Sequence, residues 1–172
     1  MRSYTTIKTD ADGLILNPLR EKVAKRLETE RFTRKLTQKA FVCMLRQGMP
    51  DRRFSYETYI RTARRSNNIT LGSLERMART LDITIADFLY GAETAPDWAK
   101  RLDGADLRAL LSRRLEQARE RSVGTQADFA ERLGIAEKTY RKIVRQKTNF
   151  TIDTLTVIAN GVGETPLAFL FE

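Results

Sequence analysis

The sequence contains no histidine. That removes the commonest general base and the commonest metal ligand. It contains a single cysteine, Cys43, so no disulfide can close within the chain, and with histidine also missing a transition-metal site is not expected. A lone thiol suits a reducing cytoplasm. Its neighbours Phe41, Val42, Met44 and Leu45 suggest a small, buried, apolar role for it. No apolar run is long enough to span a membrane, and no secretory signal pattern opens the chain. Paired catalytic acids and glycine-rich phosphate loops are missing as well. No enzyme class is therefore favoured, and no cofactor is implied.

What the chain does have is positive charge, unevenly shared. Thirty-one Lys and Arg face 22 Asp and Glu, a net of +9 over 172 residues. Residues 1–91 hold 18 basic against 10 acidic side chains, whereas residues 92–172 hold 13 against 12. A basic balance of this size points to a polyanionic partner.

The chain also says nearly the same thing twice. Leu19-Arg20, Arg26-Leu27-Glu28, Thr37-Gln38, Phe41 and Leu45 return 88 residues later as Leu107-Arg108, Arg114-Leu115-Glu116, Thr125-Gln126, Phe129 and Leu133. Tyr59, Asn68, Thr70, Leu74, Ala78, Thr84 and Phe88-Leu89 return 81 residues later as Tyr140, Asn149, Thr151, Leu155, Ala159, Thr165 and Phe169-Leu170. Copy one thus carries seven extra residues between Leu45 and Tyr59. An internal repeat fixes domain count and architecture together. It predicts an N-terminal arm at 1–17, one domain at 18–91, a linker at 92–105 and a second domain at 106–172. Domains of roughly 70 residues bury limited apolar surface, so they are expected to associate with each other or to dimerise.

Periodicity and caps predict an all-α protein with five short helices per copy. In copy two, Asp106 is the expected cap of a first helix to about Arg121, with Leu107, Leu110, Leu111, Leu115 and Ala118 on its apolar face. Thr125 caps the second helix, with Asp128 as capping-box partner and Ala127, Phe129, Ala130 and Leu133 on the buried side. Gly134 ends it. A third helix spans Ala136 to Gln146, with Tyr140, Ile143 and Val144 inward. Thr151 caps a fourth helix, and Thr165-Pro166 starts a fifth. Copy one repeats the plan: Pro18 to Lys35, Thr37 to Gln47, Ser55 to Arg65, then helices capped by Thr70 and Thr84. Gly48 to Asp51 is expected to turn. Tyr4 to Leu16 carries a hairpin signal around Asp10-Ala11-Asp12-Gly13, a composition that a disordered arm would share. Trp98, in the linker, is expected to cover a domain rather than mark a site.

Helix two, a turn and a basic helix three make a helix-turn-helix pattern. The stretch Thr125-Gln126-Ala127-Asp128-Phe129-Ala130-Glu131-Arg132-Leu133-Gly134 resembles the helix-two signature of the Cro and phage-repressor family, also called the xenobiotic-response-element family. So does the run from Asn149-Phe150-Thr151 through Leu155 and Ile158-Ala159 to Phe169-Leu170, matched in copy one by Ile69-Thr70-Leu71 to Phe88-Leu89. Two features depart from the family. Copy one has a long basic turn with Arg46, Arg52 and Arg53, and copy two has Arg145-Gln146-Lys147 where Glu-x-Gly is usual. The resemblance implies two tandem lambda-repressor-like domains and a bacterial, phage or mobile-element setting. It also implies that Gln38 and Gln126 clamp a phosphate.

Such a third helix presents polar, planar or charged groups to base edges in the major groove. In copy one the candidates are Ser55, Tyr56, Glu57, Thr58 and Arg61; in copy two they are Glu137, Lys138, Thr139, Arg141 and Lys142. Arg46, Arg52, Arg53, Arg64 and Arg65 are candidates for backbone contacts, which position a protein and add salt dependence without reading sequence. The 14-residue linker extends to at most about 45 Å, and successive half-sites lie roughly 34 Å apart. One chain can therefore place both third helices on one face of a duplex. The expected function is that of a cytoplasmic transcription regulator, such as a repressor, with double-stranded DNA as partner. A homodimer on a composite palindrome is the other arrangement left open. The alternative function is an interaction module in which a helix-turn-helix surface, above all that of near-neutral copy two, holds a protein partner. RNA is a weaker candidate because no aromatic stacking platform is visible.

Overall fold

A computed structural model describes residues 17–49 and 54–172. Eleven helices follow one another among these residues: α1 (Pro18–Thr33), α2 (Gln38–Gln47), α3 (Tyr56–Ala63), α4 (Leu71–Leu81), α5 (Ile85–Tyr90), α6 (Asp97–Lys100), α7 (Gly104–Glu120), α8 (Gln126–Arg132), α9 (Glu137–Val144), α10 (Ile152–Val162) and α11 (Pro166–Phe171). The fold is mostly helical, as expected, and no sheet forms among the described residues. The hairpin signal of Tyr4 to Leu16 and the basic turn at Arg52 and Arg53 lie outside them.

Helix starts follow local chemistry. Each helix leaves orphan N–H groups at its N-terminus, and a Ser, Thr, Asn or Asp side chain satisfies one of them. Thr37, Ser55, Thr70, Thr84, Thr125, Thr151 and Thr165 each accept a hydrogen bond from the N–H three residues on. Asn17 accepts from Leu19, and Pro18 stands at the first helical position, where it loses no bond. Helix ends repeat too. Arg65 (φ 60°) and Gln146 (φ 55°) are left-handed after α3 and α9, and Asp82 (φ 55°) and Gly163 (φ 89°) after α4 and α10. The chain accepts the strain of a non-glycine residue at three of these four ends.

The same interior recurs in each copy. Phe41 meets Tyr59 edge-on at 6.0 Å between centroids, and Phe129 meets Tyr140 at 5.9 Å. Tyr59 donates its hydroxyl to Glu28 and Tyr140 to Glu116. One aromatic pair and one hydroxyl–carboxylate bond thus fasten helices one, two and three of each copy together. Both tyrosines are fully buried.

The copies do not hang apart on a linker. A single apolar core runs from Leu19 to Phe171 through both. Thr70 and Thr151 form an antiparallel bridge, in which the Leu71 N–H donates to Phe150 O and the Ile152 N–H to Ile69 O, both at 2.9 Å. Asn149 Oδ1 accepts from the Gly72 N–H at 2.7 Å, and Asn68 Oδ1 from the Asp153 N–H at 3.2 Å. α1 packs on α10 and α4 on α7. A buried ion pair joins Arg20 to Asp153 at 2.5 Å.

Four expectations are corrected. The cap of α7 is Asp103, not Asp106; Asp106 is its capping-box partner, because two acids three residues apart fit both roles and the outer one takes the cap. The helix therefore begins within the expected linker, and that linker also holds α6, whose Ala99, with Ala95 just before it, is buried in the shared core. Cys43 is exposed: α2 buries Phe41, Val42 and Leu45, and a residue two positions after Phe41 points to the opposite side of the helix. Ala127 is likewise exposed, since the buried face of α8 is set by Phe129 and Ala130. Trp98 does cover the fold, its ring 5.7 Å from that of Phe171.

Candidate nucleic-acid interface

α3 and α9 each bury two side chains, Tyr59 with Thr62 and Tyr140 with Ile143. With Ile60 and Val144 packed beside it, that stripe leaves the opposite face of each helix towards solvent. On α3, Ser55, Tyr56, Glu57 and Arg61 are exposed and Thr58 is half-buried, with Arg64 and Arg65 exposed just beyond. On α9, Lys138, Arg141 and Lys142 are exposed while Glu137 and Thr139 are half-buried, and Arg145 and Lys147 are exposed just past its end. The candidate residues within the described part of the chain therefore fall on two surfaces, one per copy. Arg46 is exposed on α2, beside the turn that leads to α3.

Gln38 and Gln126 open α2 and α8, behind their threonine caps. Gln38 is not free to swing: its Oε1 accepts the Tyr56 hydroxyl at 2.8 Å. With the oxygen so used, the N–H donors of the amide are the groups left to offer an acceptor such as a phosphate. Copy two has Glu137 at the position of Tyr56. Its carboxylate pairs with Arg141 one turn on, at 2.5 Å, rather than with Gln126.

Five of the 12 acids of copy two are engaged in caps and pairs away from α9. Asp103, Asp106 and Asp128 sit in capping boxes at helix N-termini. Glu116 holds Tyr140, and Asp153 holds Arg20. These carboxylates lie off α9, where Glu137 stands beside Lys138, Arg141 and Lys142, with Arg145 and Lys147 just beyond the helix. Net charge per copy does not show this distribution.

Three groups have protonation behaviour tied to this frame. Burial raises the Glu28 carboxyl, but hydrogen bonds from Arg31 and Tyr59 outweigh it and hold the group below the usual glutamate range. Burial, then the bond to Glu28, pushes the Tyr59 hydroxyl up, and burial with Glu116 does the same for Tyr140. All three groups join helix one to helix three and support the surface rather than act on a substrate.

Arg20 was absent from the candidates and matters more than most of them. Its Nη1 donates to the Arg65 carbonyl at 3.1 Å, just past α3, while Nε and Nη2 donate to Asp153 on α10. One side chain thereby fixes the end of α3 against the other copy. Nothing local in the sequence marks it, since Arg20 returns as Arg108 but Asp153 corresponds to Gly72.

No helix among the described residues is long and apolar enough to cross a membrane. No curated protein and no solved structure matches the chain. Residues 115–170, the stretch that holds α8 and α9, match the helix-turn-helix family model.

Proposed function

We propose that this protein is a cytoplasmic, sequence-specific regulator that binds double-stranded DNA through two tandem helix-turn-helix units, residues 18–91 and 104–172. One observation supports it most: α1 to α3 share the same aromatic pair and the same tyrosine–glutamate bond as α7 to α9, and Glu116, Phe129 and Tyr140 lie inside the matched segment. α3 and α9 read bases, Gln38 and Gln126 clamp phosphate, and Arg46, Arg64 and Arg65 add backbone contacts. Occupancy of a promoter would make it a repressor. Gel shifts over a salt series test the reading. Affinity should depend on sequence and fall steeply with added salt; binding that does neither overturns it.

A second reading gives α9 to a protein partner. Glu137 favours it, because it sets a carboxylate where copy one offers the neutral Tyr56. Reversing three charges with Lys138→Glu, Arg141→Glu and Lys142→Glu separates the two. The DNA reading expects a loss of roughly 100-fold and a shallower salt dependence. Unchanged DNA affinity assigns α9 to a partner.

A further inference from the structure

We propose that the chain is its own dimer: an internal two-fold axis relates the two helix-turn-helix units, and one molecule reads one DNA site built of two inverted, unlike half-sites. This rests on the DNA-binding reading above and adds the symmetry and stoichiometry of the target.

The axis follows from contacts that are reciprocal. With an offset of 81, Ile69, Thr70, Leu71 and Gly72 correspond to Phe150, Thr151, Ile152 and Asp153. The Leu71 N–H reaches Phe150 O, and the corresponding Ile152 N–H reaches Ile69 O. Asn149 receives the Gly72 N–H, and the corresponding Asn68 receives the Asp153 N–H. α1 lies on α10, and the corresponding α7 lies on α4. A head-to-tail arrangement cannot do this, because there residue i meets j while the equivalent of j does not meet the equivalent of i. Only a two-fold relation returns every contact.

Two pairs lie on the axis itself, because each residue there touches its own counterpart. One is Thr70 with Thr151. The other is Tyr90 with Phe171, their rings 5.6 Å apart at the ends of α5 and α11. The third helices belong to the first end. α3 finishes at Ala63 and α9 at Val144, each six residues before its bridging segment at Ile69 or Phe150. Six residues span at most about 20 Å, so the two helix ends lie within roughly 40 Å of each other, compatible with successive major grooves about 34 Å apart. Arg20, bonded to both Arg65 O and Asp153, ties the end of α3 to α10 of the other copy.

The same contacts settle how many chains are needed. The bridging backbone groups and the asparagine Oδ1 atoms of this self-complementary face already pair within one chain, so a second copy cannot repeat these contacts there. The two reading surfaces differ at corresponding positions: Tyr56 against Glu137, Glu57 against Lys138 and Arg61 against Lys142. The half-sites must therefore be inverted in direction and different in sequence.

Selection of bound DNA from a random pool with the full chain tests this, together with the stoichiometry of the selected complex. The expected result is one motif with two unlike inverted halves about one helical turn apart, bound by a single chain. Turning one half-site around in place should cost roughly 100-fold in affinity. A direct repeat, a lone half-site, two chains per site or indifference to the turned half overturns the proposal. An unenriched pool overturns the DNA reading itself, which keeps the two failures apart. A graft of Tyr56→Glu, Glu57→Lys and Arg61→Lys, all exposed positions, should convert the first half-site towards the inverse of the second, so that the selected site approaches a palindrome. A graft that retains its helical circular dichroism and still selects the original motif also overturns the proposal.

Discussion

The two copies agree in what holds them together and differ in what they show to solvent. Caps, the buried tyrosine and the asparagines that cross between copies recur position by position. The outward faces of α3 and α9 do not, and neither do two supporting details. Beside helix one of the first copy, Glu30 binds Arg26 and Arg34, and Arg34 reaches the Leu81 carbonyl at 2.6 Å. The corresponding residues of the second copy are Ala118, Arg114 and Ser122, and there a cleft of about 380 Å³ stays open between Arg114, Arg121, Arg132 and Phe129. At the shared interface, Arg20 meets Asp153, whereas the residue corresponding to Asp153 in the first copy is Gly72, which has no carboxylate to offer. The lesson is that a duplicated fold keeps its internal hydrogen bonds while its ion pairs diverge: Arg31–Glu28 returns only as the longer Arg119–Glu116, and Arg20–Asp153 does not return at all.

The interface asymmetry gives the largest expected effect. Asp153 accepts from Asn17 at 2.7 Å as well as from Arg20, and Arg20 is only 4% exposed. Asp153→Ala leaves a buried guanidinium and an amide without an acceptor, so stability in urea denaturation should fall by about 3–5 kcal/mol. Replacing both partners, Arg20→Met with Asp153→Leu, should recover most of the loss, because no charge is then stranded. Equal losses for the single and double variants would show that the pair is not what joins the copies.

A smaller contrast lies in the two tyrosine–glutamate bonds. Glu28 keeps Arg31 at 2.8 Å when Tyr59 is truncated, whereas the nearest cation to Glu116 is Arg119 at 4.0 Å. Tyr140→Phe should therefore cost more than Tyr59→Phe, about 2 against about 1 kcal/mol in the same denaturation experiment. The reverse order would place the weaker frame in copy one.

The same bonds predict opposite pH limbs. The Glu28 carboxyl is lowered in the fold, so its contribution is complete above the unfolded value near ~4.3 and is lost as pH falls through the folded one. The tyrosine hydroxyls are raised, so theirs is complete below about 10 and is lost as pH rises through the folded value. Tyr59→Phe should flatten both limbs by a fraction of a kcal/mol, read from denaturation midpoints across pH, while leaving the Tyr140 part of the alkaline limb.

Much of this frame was legible in the sequence because it is local. A threonine three residues ahead of the N–H it receives, or a leucine stripe at helical spacing, needs no knowledge of the rest of the chain. Cys43 shows the limit of that locality: apolar neighbours in sequence do not share a face when the helix turns by about 100° per residue. Ala95 and Ala99 show another, since alanines in a short polar stretch carry no sign of the core they enter. The interface was visible only as repetition. Asn68 and Asn149 recur among core positions, yet each finds its partner 85 and 77 residues away, and no spacing rule spans such distances.

The smallest expected effect bears on the reading surfaces themselves. The Tyr56 hydroxyl holds Gln38 Oε1 and so restricts the glutamine amide. Tyr56→Phe keeps the ring and its packing 6.3 Å from Tyr59 but releases the glutamine, which must then give up rotamer freedom on binding. The loss is about 0.7 kcal/mol, roughly threefold in affinity. Because a phosphate contact carries no base information, the loss should be uniform across selected and non-selected sequences. Glu137→Gln in copy two makes the counterpart: no glutamine is held there, so its effect should appear in base preference and salt dependence instead. A base-specific change from Tyr56→Phe would move Tyr56 from holding the clamp to reading the sequence.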